Sequence, residues 1–445
     1  MTLTPIFDLS QGPREKVGMA KQPNFIVILA DDLGFGDLGC DGGTIIKTPN
    51  LDAMAAEGVR LTDFYASANV CTPSRAGLLT GQYAIRHGLA REVIQPADTN
   101  GLPPDALTIP KVLKPAGYAT ALIGKWHLGH VAPHWPPMVY GFDAFHGLPY
   151  SHDMKPLALY DADAPDAPLT ESPVDFHRLT QRFFGQTLKF VEENLDRPFF
   201  VLLALTAPHV PLDPNPDDLT GSAAGAYGEV VEEIDRNVGR LLDRLKALGI
   251  DERTLVVFTS DNGPWFEGSS GPFRDRKGGS AWEGGFRVPF IARQPGTLPA
   301  GRESAALASN LDLLPTLAAM AGATLPPIEL DGADLSAVLK ADAPSPHEEI
   351  VLFNNTKIAA VRTARWKYVV RTYYRTYDLN LARYGYPLLF DMASDPGENY
   401  GVAYLHPEVA EEMKGRVDRA RAKYEPMAAA FPPHVAPASA QDHPD

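Results

Sequence analysis

Four stretches of the chain are apolar almost without interruption: Phe25–Ala30, Ala119–Gly124, Phe199–Leu205 and Thr254–Ser260. Runs of this length are too short to span a bilayer and match strands buried on both faces, as in a parallel sheet. Between them the period changes to that of helices. Gly228–Leu248 puts Val231, Ile234, Val238, Leu241 or Leu242, and Leu245 on one face, and its charges, Glu232, Glu233 and Asp235 among them, read as a solvated surface. Further helices are predicted from Thr48 to Gly58, over Ile109–Ala116, roughly over Phe176–Asn194, and over 307–322. Val59–Tyr65 reads as one short strand, and the Pro- and Asp-rich residues 149–175 as a loop. After Ala343-Pro344-Ser345-Pro346 the pattern alternates, predicting antiparallel strands at Ile350–Phe353, Lys357–Thr363, Trp366–Arg371 and Leu388–Asp391, then a helix over Pro407–Lys423. The expected organisation is an N-terminal extension (1–22), a large α/β domain (23–342), a small C-terminal α+β subdomain (347–430) and a flexible tail (431–445).

The buried strands end in chemistry. Asp31 and Asp32 follow the first, and two adjacent buried carboxylates raise each other's pKa unless a cation relieves them. Strand ends are also where ligand sites of α/β sheets gather. Lys125 and His127 follow the second strand, placed on one side if the chain stays extended. His209 follows the third, and Asp261 with Asn262 the fourth. A solvated turn is the alternative reading for each carboxylate pair, and a structural turn residue for His209. Cys71 opens the predicted helix Cys71-Thr72-Pro73-Ser74-Arg75-Ala76-Gly77-Leu78-Leu79-Thr80, whose early proline suits a first turn. A helix N-terminus attracts an anion, and Arg75 lies one turn on. A buried structural cysteine and a thiolate nucleophile both fit the residue type. Lys277 stands in a glycine-rich loop that would let it approach an anion, although a surface lysine is the plainer reading.

Composition narrows the partners. Of 445 residues, 40 are basic and 55 acidic, a formal charge of −15, which disfavours nucleic acid and anionic membranes. Two cysteines give no disulfide framework. No apolar run near the N-terminus is long enough for a signal peptide. A cytoplasmic protein is expected, or a periplasmic one if a leader has been removed; Met19 offers a second start, leaving residues 1–18 as a loose extension. Nothing in the sequence sets an oligomeric state.

The cysteine string, together with Ala30-Asp31-Asp32-Leu33-Gly34-Phe35-Gly36-Asp37, Thr48-Pro49-Asn50-Leu51-Asp52, Gly124-Lys125-Trp126-His127-Leu128-Gly129, Pro149-Tyr150-Ser151-His152-Asp153, Ser260-Asp261-Asn262-Gly263 and Trp282-Glu283-Gly284-Gly285, resembles the type I sulfatases of the alkaline phosphatase superfamily from about residue 23 to 425. The resemblance implies that family's fold, a large mixed, mostly parallel sheet flanked by helices plus a small C-terminal antiparallel sheet with a packed helix. It implies hydrolysis of sulfate monoesters through formylglycine, made from Cys71 by a formylglycine-generating enzyme. It implies one cation held by Asp31, Asp32, Asp261, Asn262 and modified Cys71; an all-oxygen set suits Ca²⁺, with Mg²⁺ the alternative. Lys125 and Lys277 would grip the sulfate, Arg75 the hydrated aldehyde, and Ser151 would contact the site. Asp261 would accept a proton from the attacking hydroxyl, His209 protonate the leaving alcohol, and His127 deprotonate the second hydroxyl. The charged Phe273-Arg274-Asp275-Arg276 departs from the family pattern, so Arg274 or Arg276 is an alternative to Lys277. A phosphodiesterase or phosphonate monoester hydrolase of the same superfamily is the alternative activity, and a non-catalytic sulfate- or glycan-binding protein the alternative class. Loops 91–106, 130–148 and 375–387 are the expected leaving-group walls.

Overall fold

The computed structural model describes residues 22–374 and 377–431. The expected N-terminal extension, apart from Gln22, and the tail beyond Phe431 lie outside the described residues. Ten strands form one sheet in the order Arg302–Ser304, Val59–Leu61, Phe290–Arg293, Thr254–Ser260, Asn24–Ala30, Phe199–Ala204, Ala119–Lys125, Ala144–Leu148, Leu159–Ala162, Thr170–Ser172. The five from Thr254–Ser260 to Ala144–Leu148 are parallel, so their carboxyl ends share one edge of the sheet.

Uninterrupted apolar sequence produces this centre because both faces are covered. Phe25, Val27 and Leu29 pack into a layer with Leu78, Leu79, Ile109 and Leu313. Ile26, Ile28 and Ala30 face the opposite layer, which holds Phe183 and Val191 of helix Leu179–Glu193 and Ile234 and Val238 of helix Gly225–Ala247. A four-stranded antiparallel sheet of Ile350–Asn354, Lys357–Arg362, Trp366–Val369 and Leu388–Asp391 follows. Helix Pro407–Tyr424 buries Met413, Val417 and Tyr424 there. No helix among the described residues is long and apolar enough to cross a membrane.

Several sequence expectations need correction. Val59–Tyr65 is two strands in different sheets, Val59–Leu61 and Phe64–Tyr65. The supposed loop 149–175 contains Leu159–Ala162 and Thr170–Ser172, which extend the large sheet antiparallel; their polar, half-exposed sequence carries no apolar run. Residues 307–322 hold a short strand and a 3₁₀ turn before helix Leu313–Ala321. Glu232, Glu233 and Asp235 are buried rather than solvated. Asp235 accepts the backbone N–H groups of Asn50 and Leu51 at 3.0 and 2.8 Å, capping the neighbouring helix Pro49–Ala56. Glu232 accepts from Lys47 N and Ser222 Oγ. A carboxylate on a helix can cap another element, so charge alone did not mark the solvent face.

Candidate active site

Each central strand delivers its terminal residues to the same edge. The ladder continues one step past the strands: Asp31 N donates to Ala207 O and Asp261 N to Ala30 O, while Trp126 N and His127 N donate to Leu148 O and Pro149 O. Two close approaches fix the turns. A Cβ on Gly124, at φ +113°, would lie 1.8 Å from Ala204 O, and one on Gly263 equally close to Gly284 O. Asp32 and His127 themselves adopt φ of 66° and 62°, costly for non-glycine residues and found where a site over-determines the backbone. The chain is therefore not extended at His127; a left-handed turn, not strand alternation, brings it beside Lys125.

Helix Cys71–Thr80 is buried along its whole length and sets Cys71 against these ends. Cys71 Sγ lies 3.5 Å from Asp31 Oδ1. Asp31, Asp32, Asp261 and Cys71 bring one donor atom each within 4.8 Å of one another. Lys125 Nζ pairs with Asp31 at 2.7 Å, Lys277 Nζ with Asp32 at 2.8 Å, and Arg75 Nε with Asp261 at 2.9 Å. His209 Nε2 stands 3.6 Å from Asp32 Oδ2 and 3.5 Å from Ser151 Oγ. All the residues expected at the site thus converge. Lys277 is the one of its loop that reaches the cluster: Arg274 stacks on Trp282 at 3.8 Å and Arg276 on Phe266 at 5.0 Å.

Burial and charge decide the protonation states. Burial alone would raise Asp31, but Lys125 and Arg75 hold it well below the usual carboxylate range. Asp261 is pushed up to about 6 by burial, against the pull of Arg75. Burial keeps His127 neutral by lowering its pKa well below the ordinary value, helped by Lys125 and Arg75. Its Nε2–H donates to Ile94 O at 2.9 Å, so Nδ1, buried and without a partner, is the free acceptor. Burial pushes the Cys71 thiol up even against Lys125 and Lys277. As a thiol it stays S–H near neutral pH, which counts against a thiolate nucleophile.

The chain matches the family described as Sulfatase over residues 23–323, and the one described as N-sulphoglucosamine sulphohydrolase, C-terminal, over 274–423. Human arylsulfatase A is 38% identical across 89% of this chain and 87% of its own. The PsFucS1 sulfatase from Pseudoalteromonas sp. superposes with a TM-score of 0.84 at 28% identity, over 93% of this chain and 91% of that one. The chain belongs to the sulfatase family. A phosphonate monoester hydrolase of Agrobacterium radiobacter, with a TM-score of 0.62 at 22% identity over 91% and 96% of the two chains, shares the fold alone.

Membership makes the protein a sulfatase and implies a divalent cation and a formylglycine. The residues fit a hard cation. Three carboxylates crowd one point, and Asn262 Oδ1, fully buried, has no partner while its amide nitrogen donates to Asp32 at 2.7 Å. An oxygen left bare among carboxylates is a donor waiting for a cation, since unpaired buried acceptors are costly.

Sequence reasoning missed the residues that hold the sulfatase helix in place. Thr72 Oγ1 donates to His127 O and accepts from Ile94 N, both at 3.0 Å. Ser74 Oγ donates to Asp261 O and accepts from Asn310 Nδ2. A hydroxyl on a buried helix was the available signal, because it must find partners on other segments. Among the described residues, 91–106 of the expected leaving-group loops lines the cavity over Cys71, and 130–148 does not; the other walls come from Ser151, Asp153, Met154, Lys155, Val210 and Trp265, while residues 375 and 376 of the expected loop 375–387 lie outside the described residues.

Proposed function

We propose that this sulfatase cleaves sulfate monoesters to an alcohol or phenol and sulfate through a formylglycine at residue 71. The observation carrying the reading is the convergence of Asp31, Asp32, Asp261, Asn262, Lys125, Lys277, His127 and His209 on one buried cysteine at a helix N-terminus. The four Asp and Asn residues would hold the cation, Ca²⁺ by preference with Mg²⁺ the alternative. When bound, the cation polarises the ester and neutralises charge as the S–O bond breaks. Formylglycine, as its hydrate, supplies a hydroxyl nucleophile in place of the thiol.

The remaining roles belong to side chains already in position. Lys125 and Lys277 present fixed ammonium donors to sulfate oxygens, the preorganised electrostatic contribution that dominates such sites. Arg75 orients Asp261 and the group at residue 71. Asp261, held by Arg75 in the cluster beside residue 71, takes the first proton. His209 commits Nδ1–H to Val210 O at 2.5 Å, so its imidazolium form, with a second N–H on Nε2 beside Ser151, is the one that hands a proton to the leaving oxygen. His127, neutral with Nδ1 open, accepts the proton that frees sulfate. Cys71 is 1% exposed and is reached through the cavity it lines, which admits a small ester but not another enzyme's active site; a formylglycine-generating enzyme would meet the segment unfolded.

The test is peptide mass spectrometry across Cys71 on protein made with a formylglycine-generating system, paired with sulfate release from 4-nitrophenyl sulfate. An aldehyde or its hydrate with turnover is expected. Turnover by protein that keeps a free thiol overturns the formylglycine route, and a higher kcat/KM on the matching phosphate esters overturns the sulfate assignment.

A further inference from the structure

The cavity over Cys71 has a volume of about 560 Å³, the size of a small-molecule site. Its floor is the charge-balanced, cation-binding cluster, with His127 Nδ1 bare and the residue 1% exposed. The walls are of another kind. Val70, Val93, Met154, Val210 and Trp265 give apolar surface, and Trp265 is set edge-on against Phe266 at 4.7 Å. The rim carries two exposed carboxylates, Glu92 and Asp153. The cation among the rim residues, Lys155, lays its ammonium 4.4 Å over the Phe176 ring.

Resting on the sulfatase reading above, we propose that Glu92 and Asp153 are specificity residues, selecting sulfate esters of neutral or cationic alcohols with an apolar body and rejecting those that carry a second anionic group. Lys125 and Lys277 on the floor meet the sulfate. A second anion at the far end of the same molecule would lie beside two carboxylates, with Lys155 the one cation facing them among the described rim residues, whereas an ammonium would be attracted to them. Discrimination here comes from the repulsive element as much as from contacts. Multiply sulfated or uronate-bearing glycans fall on the rejected side.

The test uses three para-substituted phenyl sulfates, with ethyl, 2-aminoethyl and carboxymethyl tails, and protein carrying formylglycine. The aminoethyl ester is expected to exceed the carboxymethyl ester in kcat/KM by about tenfold, as two partly screened charges allow, and the ratio to shrink with added salt. In Glu92→Gln/Asp153→Asn the ratio should fall to within about threefold. The readout is a ratio, which a general loss of activity does not move. Equal use of the two charged esters by the wild type, or an unchanged ratio in the double variant, overturns the inference. If the ethyl ester is hydrolysed, only this charge rule is at stake; if none of the three releases sulfate, the sulfatase reading itself fails and takes the rule with it.

Discussion

The protein buries two clusters of three cations and three carboxylates, and they behave as opposites. One ties the small C-terminal sheet to the large unit. Lys367 Nζ lies 2.8 Å from Glu283 Oε1 and 2.7 Å from Glu398 Oε1; Tyr65 Oη donates to Glu283 Oε2 at 2.6 Å, and Arg287 and Arg362 both pair with Asp63. Glu283 N donates to the second Glu398 oxygen at 2.8 Å. Five of the six carboxylate oxygens there accept a hydrogen bond, and the sixth, Glu398 Oε1, is held against the Lys367 ammonium at 2.7 Å. The other cluster, Asp31, Asp32 and Asp261 against Arg75, Lys125 and Lys277, has the same formal balance but leaves Asn262 Oδ1 and His127 Nδ1 bare. The first is closed and holds the fold together; the second is incomplete and therefore able to react. Charge count does not separate a structural cluster from a catalytic one; the neutral acceptors left without a partner, Asn262 Oδ1 and His127 Nδ1, do.

The sharpest separation is Cys71→Ala. With the group at residue 71 gone, kcat/KM on an aryl sulfate should drop about 10⁴-fold or more, roughly 5 kcal/mol of transition-state stabilisation. Thermal unfolding should barely move, because the thiol's recorded polar partner is Asp31 at 3.5 Å. A variant that keeps its activity would place the chemistry elsewhere.

Lys367→Met should do the reverse. It strands two buried carboxylates, a loss of about 3–5 kcal/mol for breaking a buried pair, read as a shifted urea midpoint, while the folded enzyme keeps its kcat. A midpoint equal to that of the wild type would mean that the joint does not need its cation.

The closed cluster also has a pH signature. Burial raises Glu398 to about 7 against the pull of Lys367, whereas Lys367 and Arg287 overcome burial and bring Glu283 down to about 2. Between an unfolded carboxyl near 4.5 and about 7, the folded state holds the extra proton. Stability from Glu398 is thus fully present below pH 4.5 and is lost as pH rises to 7, by up to about 3 kcal/mol. Glu283 works in the opposite sense, below that window. Calorimetry at pH 5 and 7.5 should show the fall in the wild type and a flatter profile in Glu398→Gln; equal slopes would remove the proton from Glu398.

These differences explain what could be read from the sequence. The central strands announced themselves because burial on both faces demands unbroken apolar residues, and Asp31, Asp32, Asp261 and Asn262 stood out as polar residues at the ends of such runs. Ala144–Leu148 did not, since Ala-Phe-His-Gly-Leu contains both a glycine and a histidine, yet it is the fifth parallel strand and leads to Ser151. The closed cluster was invisible: Asp63, Glu283, Lys367 and Glu398 are scattered along the chain, and nothing local marks a lysine that will be fully buried between two carboxylates. Glu232 and Asp235 misled for the same reason, their partners, Lys47 N and Ser222 Oγ for one and Asn50 N and Leu51 N for the other, lying on other segments. Motifs reveal chemistry that is contiguous or at strand ends, whereas ion pairs assembled by tertiary structure leave no local pattern.

The last comparison adds a cation to both clusters. In the closed one Lys367 already lies against both glutamates, and it should not respond. The open one should bind Ca²⁺ through three carboxylates and Asn262 Oδ1, gaining about 2.7 kcal/mol at a hundredfold excess over Kd, visible as a rise in Tm that chelation reverses and that Asn262→Leu diminishes. The charge balance gives this a second consequence. A divalent ion turns a neutral cluster into one with two excess positive charges in a buried setting, where charge is weakly screened. Inorganic sulfate, the reaction product, should therefore stabilise the protein further only when the cation is present. Stabilisation by sulfate that is equal in chelated and Ca²⁺-loaded protein would show that Lys125 and Lys277 suffice for the anion, and that the open cluster is complete without its metal.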